Sequence, residues 1–179
     1  MNVGTKSILF GVHQFLWHPW TVGRAWRHIH GRWPTFSQWL CIFVHDLGYW
    51  GCPNMDGVEG KEHPVRGAEL AESLCYYRWR LKYKASIADR MAKAAYRWTL
   101  GHSTHYAKAH LNGRVSELYL ADKASILFDP PWFYLLRGWL SGETAEYVRN
   151  EDPSLTVRQW LESYRVRIKI KVCLNQSSS

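Results

Sequence analysis

Cysteine is scarce in this 179-residue sequence, and no long apolar run is present. The four cysteines, at positions 41, 52, 75 and 173, form no C-x-x-C pair. This excludes zinc-finger spacing and makes a disulfide framework unexpected. No apolar run approaches the roughly 18–20 residues that span a bilayer, and the first residues lack the cleavage pattern of a signal peptide. We therefore expect a cytoplasmic protein without membrane contact, whose cysteines are small buried apolar side chains.

Acidic residues are also few, since 15 Asp and Glu stand against 23 Lys and Arg, for a formal net charge of +8. A basic surplus suits an anionic partner such as a nucleotide, a nucleic acid or an acidic membrane surface, without choosing among them. Repeats and internal linkers are absent, and 46% of the residues are apolar. This composition indicates one globular domain with a sizeable core. We assign the domain to residues 1–163 and a basic arm and tail to residues 164–179.

Helical periodicity runs through most of the chain. In HPWTVGRAWRHI, a proline suited to a first helical turn precedes apolar residues spaced i, i+3, i+4 and i+7 from Val22 to Ile29. The stretch PTFSQWLCIFVHDLG has a candidate N-cap at Thr35, is apolar on almost every face and meets a natural stop at Gly48. Such a helix is buried on several sides. The sequence therefore predicts an all-α fold, a compact helical bundle.

The segment YRVRIKIKVCL departs from this periodicity. Its basic and apolar residues alternate strictly. The basic residues are Arg165, Arg167, Lys169 and Lys171, and the apolar residues are Val166, Ile168, Ile170 and Val172. A period of two is typical of a strand, so we predict a short C-terminal β-arm that pairs with another subunit in a homo-oligomer. The alternatives are a basic strand that contacts nucleic acid or lipid, and a disordered segment.

Histidines and carboxylates fall at the ends and on the apolar faces of the predicted helices. His45 and Asp46 end one of the most apolar stretches, where an unpaired charge costs on the order of several kcal/mol. Four more candidates precede a helix-opening proline, close a helix or lie on an apolar helix face: His18, His63, His102 and Asp122. Imidazoles and carboxylates that converge inside a helical bundle can hold metal ions, and a metal would offset the cost of burying Asp46.

The ordered set His18, His45-Asp46 and Asp122 resembles the His…His-Asp…Asp signature of the HD-domain superfamily of metal-dependent phosphohydrolases. WHPWTVGRAW resembles the first helix of that family, FVHDLGYWG its apolar run ending in His-Asp, and LADKAS the helix that carries its final Asp. The likeness covers roughly residues 10–145. It implies an HD-type helical bundle in which these side chains hold a metal and in which Lys123, after the final Asp, contacts phosphate.

Two further motifs resemble the binuclear members of the superfamily. EHPVRGAEL carries His63, and GHSTHYAK carries His102, with His105 as the spare. By this resemblance Asp46 bridges two metals, His63 and His102 hold the second, and the remaining three residues hold the first. Mononuclear members use only the first four ligands, so that His63 and His102 would there contact substrate or transfer protons. Imidazole plus carboxylate suits Fe, Mn, Zn, Co or Ni, and we expect one or two such divalent ions.

The resemblance implies an enzyme that hydrolyses a nucleotide or nucleotide-like phosphoester through a metal-activated water. A nucleotidase, a dNTP triphosphohydrolase and a cyclic-nucleotide phosphodiesterase all stay open. One alternative is an HD-type di-iron oxygenase, which the six-ligand set permits, and another is a non-catalytic module that binds nucleic acid. The expected catalytic residues are Asp46, His63, His102 and Lys123. Ordinary core or surface positions are expected for His13, His28, His30 and His110.

Overall fold

The structure is a computed structural model that describes residues 1–177, and it contains no β-strand in that range. The helices, in chain order, are α1 (Val3–Phe10), α2 (Trp17–His30), α3 (Phe36–Val44), α4 (Val58–Lys61), α5 (His63–Arg80), α6 (Ala85–Leu100), α7 (Thr104–His110), α8 (Glu117–Ala124), α9 (Pro131–Ser141), α10 (Glu143–Glu151) and α11 (Val157–Ser177). Short 3-10 helices follow α3, at Leu47–Tyr49, and α8, at Ser125–Leu127. The expected all-α fold is confirmed.

Several helix ends follow directly from local sequence. At the start of α3, the Thr35 hydroxyl accepts a hydrogen bond from the backbone N–H of Gln38, whose side chain accepts one from the backbone N–H of Thr35. This reciprocal capping box satisfies two N–H groups that the first turn would leave without partners. Thr156 and Gln159 form the same pair of bonds at the start of α11. Gly142 ends α9 with a φ of 86°, a left-handed conformation that favours glycine.

The helices that carry the candidate site residues pack directly against one another. α2 packs on α3 and α8, α3 packs on α5, and α5 forms an extensive pair with α6. Val22 of α2, Ile42 of α3 and Leu118 of α8 are completely buried in one apolar cluster. This cluster fixes the positions of the three helices relative to one another, so that residues at or near their ends meet at one side of the core.

The predicted C-terminal β-arm is wrong, because residues 157–177 form the continuous helix α11. Ile168 and Val172, at helical spacing i and i+4, are only 2% and 3% exposed, whereas Val166 and Ile170 are 59% and 54% exposed. A strand would place all four on one face. The capping box starts the helix, and burial on α8, α9 and α10 outweighs the local alternation. α11 spans the boundary at residues 163/164, and the division of the chain there stays a prediction.

Two further expectations from the sequence concern membrane-spanning helices and the burial of the cysteines. Within residues 1–177, no helix combines the length and the apolar character needed to cross a membrane. Cys41, Cys52 and Cys75 are buried, as expected, whereas Cys173 is exposed on α11.

Candidate metal centre

His45 and Asp46 follow the last residue of α3, where the chain turns into a 3-10 helix. Two glycines bring this turn against the start of α5. A Cβ atom on Gly67 would overlap the carbonyl oxygen of His45, and one on Gly48 would overlap the carbonyl oxygen of His63. Only a residue without a side chain permits backbones to approach this closely. The two glycines therefore place His63 beside the His45-Asp46 pair.

Four of the predicted ligands form one buried group. Their donor atoms, from His18, His45, Asp46 and Asp122, all lie within 4.8 Å of one another. The Nε2 atom of His18 lies 3.0 Å from Oδ2 of Asp46 and 3.2 Å from Oδ1 of Asp122. The Nε2 atom of His45 lies 3.1 Å and 3.5 Å from the same two oxygens. Residues separated by more than 100 positions in the sequence thus present two imidazoles and two carboxylates to one point.

The other two predicted ligands form a second group with the same aspartate. Oδ1 of Asp46 lies 3.7 Å from Nε2 of His63 and 3.9 Å from Nε2 of His102, and the two imidazole nitrogens are 3.2 Å apart. The two oxygens of Asp46 therefore face different histidine pairs. This arrangement allows Asp46 to belong to both groups at once.

Three of the site histidines are oriented by a carbonyl three residues earlier in the chain. The Nδ1 atom lies 2.7 Å from Ile42 O in His45, 2.7 Å from Gly60 O in His63 and 2.6 Å from Thr99 O in His102. A carbonyl oxygen only accepts hydrogen bonds, so each Nδ1 carries the proton. The other ring nitrogen, Nε2, therefore faces the site and offers its lone pair to a metal once it carries no proton, as metal-binding histidines do.

Several buried donor atoms of the site lie close to one another but form no hydrogen bond of normal geometry. They are Nε2 of His18, Nε2 of His45 and Oδ2 of Asp46. Buried polar atoms are almost always satisfied, and leaving one without a partner costs about 1–3 kcal/mol. A divalent cation would satisfy these atoms together. The residues present therefore fit a metal, and the expectation that buried His and Asp groups could hold one is confirmed.

Electrostatics divide the site into ionised and neutral groups. Burial alone would raise the pKa of Asp46, but the neighbouring histidines, His45 first, hold it well below its ordinary value. Burial would likewise lower the pKa of His45, but the nearby carboxylates of Asp46 and Asp122 raise it to about 10. Burial and the charge of His45 lower the pKa of His102 to about 4. A metal would meet anionic carboxylates and a neutral His102, and it would displace a proton from His45.

Two cavities open onto this cluster. The larger has a volume of about 420 Å³, and its lining includes His18, Asp122 and Lys123. Part of its lining is aromatic, because Trp160 stacks on Tyr147 at 5.6 Å and on Tyr164 at 5.5 Å between ring centroids. The smaller, of about 130 Å³, has a lining that includes Asp46, His63 and His102. These volumes provide space for a small ligand directly beside the donor atoms.

Lys123 lies on the wall shared by both cavities. Its Nζ atom is 3.0 Å from Oδ2 of Asp122, whose charge raises the pKa of the lysine. The ammonium group is therefore cationic and reaches the space where a ligand would bind. His105 is exposed on α7 and belongs to neither donor group, so the structure does not bring this spare histidine into the site.

One site residue, His13, was missed by sequence analysis. Its Nε2 lies 4.0 Å from Oδ2 of Asp46, and its Nδ1 lies 3.0 Å from a carboxylate oxygen of Glu143. Glu143 is completely buried, and hydrogen bonds from His13 and Ser7 keep its pKa low despite burial. His13 lies between α1 and α2, with no helical spacing that points toward the other ligands. No sequence signal linked it to Glu143, 130 residues away.

A comparison of the chain with protein-family models, and searches of curated proteins and solved structures, gave no significant match.

Proposed function

We propose that this chain is a metal-dependent phosphohydrolase of the HD-domain type that hydrolyses a nucleotide or nucleotide-like phosphoester. The observation that carries the proposal is the convergence of two histidine pairs on the two oxygens of Asp46, with Asp122 beside them. These are the residues whose order and neighbouring sequence resemble the motifs of the HD superfamily.

Each of the two donor groups would hold one metal ion. One metal would be held by His18, His45, Asp46 and Asp122, and a second by Asp46, His63 and His102. A divalent transition metal supplies Lewis acidity, which lowers the pKa of water and stabilises negative charge on phosphoryl oxygens. Asp46 would belong to both sets because its two oxygens face opposite histidine pairs.

The remaining groups around the site suit a small phosphorylated ligand. Lys123 places its ammonium group at the cavity wall next to Asp122, where it would hold a phosphate oxygen. The stacked rings of Tyr147, Trp160 and Tyr164 offer a flat apolar wall for a planar base. A volume of about 420 Å³ lies at the small end of the usual range for ligand pockets. These features support a free nucleotide as substrate rather than a polymer.

The six-donor arrangement also supports a second candidate, an HD-type di-iron oxygenase. Asp46, His63 and His102 add a complete second donor group to the first one. Such an oxygenase would consume oxygen in the iron-loaded form and release no phosphate from a phosphoester. The two activities are therefore separable in one set of assays.

The test combines metal content with turnover. The chain is purified without chelator, and its metals are measured by elemental analysis. Phosphoester hydrolysis, followed by chromatography of the nucleotide products, and oxygen uptake are measured after loading with Mn, Fe, Co or Zn. Substrates include nucleoside mono- and triphosphates and cyclic dinucleotides. The matched variants are Asp46→Asn and His110→Gln, since His110 is an exposed histidine outside both donor groups.

We expect one or two ions per chain and hydrolysis of at least one phosphoester in the wild type and in His110→Gln. Asp46→Asn should lose both metal and turnover. Oxygen uptake without hydrolysis of any phosphoester would favour the oxygenase. A wild-type chain that binds none of the four metals, and hydrolyses nothing, would contradict the proposal.

A further inference from the structure

We infer that His13 is an additional metal ligand of the site, oriented by Glu143. The inference depends on metal binding as proposed above, but it does not depend on which reaction the site performs. It concerns a residue outside both donor groups and outside the sequence motifs that resemble the HD superfamily.

The first step of the argument is the position of Glu143. Its carboxylate is completely buried and accepts hydrogen bonds from Ser7 Oγ at 2.6 Å, from Ser141 Oγ at 2.8 Å and from the backbone N–H of Val12. The carboxylate is thereby fixed by α1, α9 and the segment between α1 and α2. A buried carboxylate costs free energy unless it is paired. The basic group that faces it is His13, and the Tyr147 hydroxyl donates to it at 3.4 Å.

The second step is the tautomer of His13. Its Nδ1 lies 3.0 Å from Oε2 of Glu143, and a carboxylate only accepts hydrogen bonds, so Nδ1 carries the proton. The other ring nitrogen, Nε2, is then the atom that can offer a lone pair to a metal. A carboxylate that accepts from one ring nitrogen while the other nitrogen binds metal is a recurrent arrangement in metalloproteins.

The third step is the direction of Nε2. It lies 4.0 Å from Oδ2 of Asp46, close to the 3.7 Å and 3.9 Å that separate Oδ1 from His63 and His102. The ring of His13 also packs against the ring of His18, with 5.2 Å between their centroids. His13 lines both cavities. It therefore approaches the site on the Oδ2 side of Asp46, from the side that is open to a ligand.

The test measures Co²⁺ affinity by competition with a chromophoric chelator, together with the visible absorption of bound Co²⁺. His13→Gln and Glu143→Gln are expected to weaken binding by about 10–100-fold and to change the Co²⁺ spectrum. His110→Gln is the control and should match the wild type. Because Glu143 is completely buried and its variant can fail to fold, circular dichroism checks each protein and His13→Gln decides the result.

Chemical rescue separates ligation from a purely structural role. In His13→Ala, added imidazole should restore Co²⁺ affinity and the wild-type spectrum if Nε2 binds the metal. A folded His13→Gln with unchanged affinity and spectrum would overturn the inference while leaving the proposed function standing. A wild-type chain that binds no Co²⁺, Mn²⁺, Fe²⁺ or Zn²⁺ would overturn both.

Discussion

Metal binding should raise the thermal stability of this protein by an amount that depends on Asp46. A metal present at 100 times its Kd stabilises the folded state by about 2.7 kcal/mol when it does not bind the unfolded chain. For a chain of this size, each kcal/mol shifts Tm by about 2–4 °C. We therefore expect Tm to rise by about 5–11 °C when saturating metal is added to the metal-free protein.

Asp46→Asn is the sharpest perturbation of this effect. The substitution preserves the shape of the side chain but removes the charge that Oδ2 presents to His18 at 3.0 Å and to His45 at 3.1 Å. It also removes the carboxylate that both donor groups share. If affinity falls a hundredfold, the same metal concentration stabilises by only about 0.4 kcal/mol. This corresponds to a rise of about 1–2 °C.

The assay is intrinsic-fluorescence melting, for which the 11 tryptophans provide signal. The protein is first stripped with chelator and then titrated with Mn²⁺, Co²⁺ or Zn²⁺. Asp89→Asn is the control, because Asp89 is an exposed carboxylate that pairs with Lys93 on α6. An equal rise in Tm for Asp46→Asn and for the wild type would refute the assignment of Asp46 as the shared ligand.

Three further predictions concern the fold and the approach of backbones at the site. Arg137→Met should cost about 3–5 kcal/mol in urea denaturation, because it leaves a buried carboxylate partner, Asp129, without its guanidinium; a loss below about 1 kcal/mol would contradict this. Gly67→Ala should destabilise the chain by about 1–3 kcal/mol and weaken Co²⁺ binding, because the new methyl group overlaps the backbone of a ligand residue; unchanged melting and affinity would argue against that close contact. Ile168→Ala should lower the free energy of unfolding by about 2–5 kcal/mol and Ile170→Ala by under about 0.5 kcal/mol. Equal losses would indicate that this segment forms a strand and not the helix α11.

Much of the fold could be predicted because its signals are local. The start of α3 follows from the N-cap at Thr35, as predicted, whereas the helix ends at Val44, four residues before the predicted stop at Gly48. Capping boxes and apolar periodicity depend on residues within one or two turns of one another. The all-α prediction follows from such signals repeated along the chain.

The failed strand prediction shows where local patterns are ambiguous. Eight residues that alternate between basic and apolar side chains satisfy a period of two, yet Ile168 and Val172 also share one helical face. The capping box at Thr156 and the burial of Trp160 belong to the same helix, but they precede the alternating segment. Considering the segment together with the preceding ten residues would have favoured a helix.

The candidate site was predictable only where its residues adjoin recognisable motifs. His18, His63 and Asp122 were identified from helix starts and apolar faces, and the structure brings them together with Asp46. His13 carries no such signal, because its orientation depends on a carboxylate from α10 that meets it through tertiary packing. Contacts of this kind are set by the arrangement of helices and not by residue spacing.

Two of the three carbonyl oxygens that orient site histidines, those of Ile42 and Thr99, also lie at helix ends. Ile42 and Thr99 lie in the last turns of α3 and α6, where carbonyls lack partners within the helix. Imidazole N–H groups bind these carbonyls, so His45 and His102 stabilise the helix ends from which they project. Removing the His45 ring would therefore take the imidazole N–H from the Ile42 carbonyl as well as remove a donor atom, whereas the Thr99 carbonyl would keep its bond to the backbone N–H of His102. At these positions the same imidazole ring binds a helix carbonyl through Nδ1 and faces the metal site through Nε2. The residues at which α3 and α6 end therefore determine where the donor atoms lie.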